Sequence, residues 1–129
     1  MTMPEERRRK RSDDPLIALH YQLSHARHDG DLEAIVLADP SGVVVAGAGA
    51  WAVCEELAAY APLMAQGVEW NEPGVGPSAR MASLRAEVDV QQMEVDGMEI
   101  ILCARGGQLR GAMIARAAKG VSRILRAAA

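Results

Sequence analysis

The turn Asp39-Pro40-Ser41-Gly42 joins the apolar run Leu32-Glu33-Ala34-Ile35-Val36-Leu37 to the β-branched run Val43-Val44-Val45-Ala46. Parallel strands need a crossover of about a dozen residues or more, so a link this short commits the two runs to an antiparallel hairpin. A second hairpin signal follows downstream. Asp96-Gly97 separates Met93-Glu94-Val95 from Met98-Glu99-Ile100-Ile101-Leu102-Cys103, and Asp-Gly supplies the positive φ that a two-residue turn requires.

Helical periodicity surrounds these hairpins. Asp14-Pro15 reads as a helix start, with Asp as N-cap and Pro at the first helical position. Leu16, Leu19, Leu23 and Ala26 then recur at helical spacing, with Gly30 as a stop, predicting a helix over about 15–28. Trp51 to Ala61 reads as an Ala-rich helix that Pro62 ends or kinks. Residues 67–78 read as the longest loop. Leu84, Ala86, Val88 and Val90 alternate as a strand does, although Ser78 to Glu87 reads equally as a short helix. A parity change after Gln91-Gln92 predicts a bulge or break. After Gly106-Gly107 a final helix carries the stripe Leu109, Met113, Ala117, Val121 and Leu125. The order is α-β-β-α-(β)-β-β-α, an α+β fold with one antiparallel sheet flanked by helices. It is expected as a single domain over 15–129, after a charged, flexible tail over 1–14.

Composition narrows the function classes. Aromatic residues make up 3% of the 129 residues, with no Phe, which disfavours base-stacking platforms for single-stranded nucleic acid. No stretch has the continuous apolar length of a membrane span, and no apolar segment follows the basic N-terminus as in a secretory signal. Cys54 and Cys103 stand far apart with no CxxC spacing, as expected of buried thiols in a reducing cytoplasm. The net charge of −3 conceals a segregation: residues 15–104 carry −10, whereas residues 105–129 carry +6. Arg116, Lys119, Arg123 and Arg126 line one face of the last helix. Such a patch attracts anions, but the acidic remainder makes nucleic acid a poor partner and intramolecular or dimer complementarity at least as good a reading.

Chemical motifs are weak. Gly47-x-Gly49-x-x-Ala52 follows a strand and opens a helix, as in a dinucleotide fingerprint. Its strand, however, belongs to a hairpin, and no strand ending in an acid follows at the required distance. His25, His28 and Asp29 share a helix end, where the helix dipole explains the histidines without a metal. No serine lies in a nucleophile elbow. Neither catalytic residues, a cofactor nor a metal is expected.

The run Leu32 to Ala46 with its Asp39-x-x-Gly42 turn, followed by the Ala-rich helix with Glu55-Glu56-Leu57-Ala58-Ala59, resembles the roadblock/LC7 family, and Gly106 to Leu125 resembles its closing helix. The resemblance covers roughly residues 15–127. It implies a profilin-like α+β fold and a non-catalytic homodimer that adjoins its sheets and pairs its second helices. It further implies a regulator or scaffold for a small Ras-like GTPase or a signalling complex. On that reading the interface comprises Val43, Val44, Val45, Ala46, Trp51, Glu55, Ala58, Ala59 and Tyr60. The alternative is a small-molecule sensor of the PAS or GAF kind, holding a ligand between sheet and helices.

Overall fold

A computed structural model describes residues 14–67 and 78–128. The tail expected over residues 1–14 lies outside the described residues apart from Asp14, as does the loop interior with Trp70. The elements are α1 (Pro15–Gly30), β1 (Ala34–Ala38), β2 (Val44–Ala48), α2 (Trp51–Ala65), α3 (Ser78–Glu87), β3 (Val88–Val95), β4 (Met98–Arg105) and α4 (Arg110–Ala128). One antiparallel sheet runs in the order β2-β1-β4-β3.

Helices cover both faces of this sheet. Ile35, Leu37, Ile100 and Leu102 point towards α1 and α4, where they meet Leu19, Leu23, Ile114 and Val121. Ala34, Val36, Ala38, Ile101 and Cys103 point the other way, towards Cys54, Leu57, Ala58 and Ala61 of α2 and Leu84 of α3. β1 is therefore apolar throughout and β4 from Ile100 to Ala104, as stretches buried on both faces must be. The α2 side is built from smaller side chains, so α2 is held close to the sheet.

The structure corrects several local expectations. The segment that alternates from Leu84 is helical through Glu87, because Leu84 and Val88 both turn into the α2 side. The sheet accordingly has four strands, and two helices in succession separate its hairpins. No bulge follows Gln91-Gln92, since Val88 to Val95 pair with Arg105 to Met98 in unbroken register. The parity changes because Val88 and Val90 pack on the α2 side while Met93 and Val95 pack on the α4 side. The bulge lies in β2 instead. Leu37 pairs with Ala46 and Ala38 with Val44, which leaves Val45 as the extra residue.

Helix ends also shift. Helix α1 continues to Gly30, and Asp31 takes the left-handed turn at φ 50°. Asp14 makes no side-chain cap, although Pro15 opens the helix. Helix α2 passes through Pro62 to Ala65. Leu109 precedes α4 and is 61% exposed, so the buried stripe of that helix is Ile114, Ala117, Ala118 and Val121 rather than one beginning at Leu109.

The hairpin turn is fixed by Asp39. Its Oδ1 accepts hydrogen bonds from Ser41 Oγ at 2.6 Å, Ser41 N at 2.9 Å and Val43 N at 3.1 Å. The Ser41 hydroxyl, followed by the Val43 amide, holds the Asp39 carboxyl below its usual range. Asp39→Ala is expected to cost about 1 kcal/mol at neutral pH. Because the folded-state pKa is depressed, this contribution is complete above the unfolded-chain value of about 3.9. It is lost as pH falls through the folded-state value. Urea melts of both proteins against pH should show the gap narrowing in acid, and a pH-independent gap would refute the assignment.

Candidate functional site

The outward face of α2 gathers most of the exposed positions among the expected interface residues. Trp51 opens the helix and is 58% exposed. Glu55 and Ala59 follow at four-residue spacing and are exposed, with Tyr60 half-buried beside them. Val43 lies outside the strand and is also 58% exposed. The turn before it presses on α2: a Cβ on Gly42, which has φ +87°, would stand 3.3 Å from Ala59 Cα. Val43 is thereby carried to the Ala59 end of the face, with Trp51 at the other. Ala46 and Ala58 do not belong to this surface. Both are fully buried within the chain, Ala46 on the α1 side and Ala58 on the β1 side. Val44 and Val45 are half-buried and point to opposite faces of the sheet.

The two sheet edges differ in their capacity to accept another strand. On β2 the bulge at Val45 interrupts the ladder, and His20 of α1 lies against the Gly47 backbone, where its Nδ1 bonds one peptide group. Its Nδ1 lies 3.0 Å from the Gly47 carbonyl oxygen and 3.4 Å from the Gly47 nitrogen. Bulges and blocked peptide groups are ways of preventing edge-to-edge pairing. The β3 edge runs for eight residues without a bulge. An edge contact through Val43 to Ala46 is thus obstructed, whereas β3 offers a longer and regular edge.

The motifs weighed for chemistry have structural explanations. At Gly47 a Cβ would stand 3.1 Å from Cys54 Sγ. Gly49 has φ +116°, and a Cβ there would stand 2.7 Å from the Glu33 carbonyl oxygen. Asp29 pairs with Arg116 at 3.1 Å, and His25 and His28 are exposed. Among the described residues no three His, Cys, Asp or Glu groups are placed to hold a metal ion.

Further ion pairs bind the layers together. Arg80 of α3 contacts both carboxylate oxygens of Glu56 on α2, at 2.6 and 3.2 Å, and its hydrogen bonds hold the Glu56 carboxyl below its usual range. Arg105 bridges Glu33 and Glu87 at 3.2 and 2.8 Å. Cys54 and Cys103 are free and buried, and burial, followed by Asp89 and Cys54, pushes the Cys103 thiol up to about 12. Such a thiol is inert towards nucleophilic chemistry at neutral pH.

Two features escape a reading of the sequence. Ile17 and Tyr21 on α1 are 53% and 66% exposed; their four-residue spacing, off the stripe of Leu19 and Leu23, is the signal that marks them. Gln91 and Met93 of β3 line a groove with Lys119, Arg123 and Arg126 of α4, a meeting that only the pairing of strands and helices reveals. Among the described residues no helix is long and apolar enough to cross a membrane.

No protein-family model matches the chain, and no curated protein sequence is significantly similar to it. Among solved structures, the fold is similar to that of Myxococcus xanthus MglB, with a TM-score of 0.59 at 12% identity, covering 88% of this chain and 92% of that one. At that identity the likeness concerns the fold, which is the α+β roadblock architecture that the sequence resemblance implies.

Proposed function

We propose that this chain is a non-catalytic, homodimeric interaction module that regulates or scaffolds a small Ras-like GTPase in the cytoplasm. The observation that carries the reading is the exposure of Trp51 and Val43, each 58%, at the two ends of the outward face of α2. A tryptophan left in water on a helix lined with alanine is an anchor for a partner rather than for the chain's own core. The fold shared with MglB, a GTPase regulator, points the same way. Ala59 lets a second helix approach closely, and the unbulged β3 edge supports an adjoining of two sheets. The buried free thiols suit a reducing compartment.

Sedimentation velocity at micromolar concentration, with and without a Ras-like GTPase from the same genome, tests both parts. The wild type should sediment as a dimer and bind the GTPase. Ala59→Arg should yield monomers, and Trp51→Ala should weaken GTPase binding by about 2 kcal/mol or more, roughly thirtyfold. A monomer that binds no GTPase would overturn the reading.

A further inference from the structure

The cations of β4 and α4 fall into two sets. Arg105, Arg110 and Arg116 each have a carboxylate within reach, Arg110 through Asp89 at 3.5 Å and Arg116 through Asp29 at 3.1 Å. Lys119, Arg123 and Arg126 have none within 4.0 Å among the described residues. The difference is written in β3. Asp89, Gln91 and Met93 alternate onto the face that α4 covers. Asp89 gives Arg110 a carboxylate, but further along the strand presents neutral Gln91 and Met93 to the remaining cations. Between them lies a groove of about 680 Å³.

We propose that this groove binds an acidic peptide segment of a partner protein, with its carboxylates on Lys119, Arg123 and Arg126 and its apolar side chains on Met93 and Ala118. The three cations span seven residues of one helix face, about 10 Å at 1.5 Å per residue, which matches successive carboxylates on a short peptide. The partly apolar lining, with Met93, Ala115 and Ala118 beside the cations, suits the side chains of a peptide. Among the described residues no aromatic side chain lines the groove to stack a base, and the charge of −10 over residues 15–104 repels a long polyanion. The site uses the α4 face of β3 and not its edge hydrogen bonds, so it is separate from the α2 surface.

Fluorescence anisotropy of a short labelled peptide alternating glutamate and leucine, titrated with the full chain, tests the proposal. Binding should weaken as salt is raised. It should fall about tenfold in the Lys119→Gln, Arg123→Gln, Arg126→Gln triple variant, with an unchanged melting curve, while Arg85→Glu on α3 binds as wild type. Duplex DNA and phosphatidylserine vesicles should compete poorly. The proposal is overturned if the peptide does not bind, if the folded triple variant binds it as tightly, or if DNA or vesicles displace it at lower concentration than unlabelled peptide.

Discussion

Replacing Gly49 with alanine is expected to lower the melting temperature by roughly 10 °C or more. Two costs combine. The residue sits at φ +116°, outside the regions that L side chains readily adopt, which costs about 1–3 kcal/mol. A Cβ there would also stand 2.7 Å from the Glu33 carbonyl oxygen and 2.9 Å from Ala34 Cβ, at the start of a central strand. Displacing closely packed backbone adds about 1–3 kcal/mol. Gly97→Ala separates the two costs. Gly97 has φ +82° in the β3–β4 turn, with nothing among the described residues within 4 Å of a Cβ placed on it, so only the backbone cost of about 1–2 kcal/mol applies. Thermal melts of both variants by circular dichroism decide the matter, and equal melting temperatures would refute the steric account.

The second large effect is Leu102→Ala, expected to cost about 2–5 kcal/mol in urea denaturation without a change in slope. Leu102 is fully buried on the α1 and α4 side and pairs across the sheet with the equally buried Leu37. Two central strands and two helices surround it, and none can move inward without dragging the sheet. Its neighbour Cys103 is as deeply buried but faces α2. Cys103→Ala removes a single sulfur atom and should cost about 1 kcal/mol. If the two variants proved equally unstable, the distinction between a large-residue layer and a small-residue layer would fail.

The parts of this architecture readable in the sequence are those set by short-range chemistry. Asp39 to Gly42 and Asp96-Gly97 announce their hairpins because turn residues and link length determine strand direction locally. What could not be read depends on partners distant in the chain. Val88 to Val95 looked broken because its two halves face different helices, a fact about α2 and α4 rather than about the strand. Ser78 to Glu87 reads as strand or helix until Leu84 is seen to share a buried side with Val88. Val45 becomes a bulge only through the pairing of β1 with β2. On the candidate surface, the family resemblance pointed to Trp51, Glu55 and Ala59. It did not separate exposed Ala59 from buried Ala58, because neighbouring alanines look alike until the helix is set against a sheet. The unbalanced charge of the last helix was visible, but which cations are already neutralised depends on Asp29 and Asp89.

The placement of the tightly packed glycines makes one end of the sheet resist changes in length, while the β3–β4 turn at the other end accepts them. Helix α1 leads into β1, β2 into α2, α3 into β3 and β4 into α4 at the same end of the sheet. There a Cβ on Gly106 would stand 2.8 Å from Glu33 N, and one on Gly107 would stand 2.5 Å from the Gly30 carbonyl oxygen. The Glu33 amide hydrogen-bonds the Arg105 carbonyl at 2.8 Å across the same junction. Gly97, at the opposite end, would have nothing among the described residues within 4 Å of a Cβ placed on it. Added residues, a fused tag or a grafted recognition loop therefore have room between Asp96 and Gly97. One extra residue between Gly106 and Gly107 would pull four junctions apart together. New sequence acquired by such a domain has one direction in which to grow.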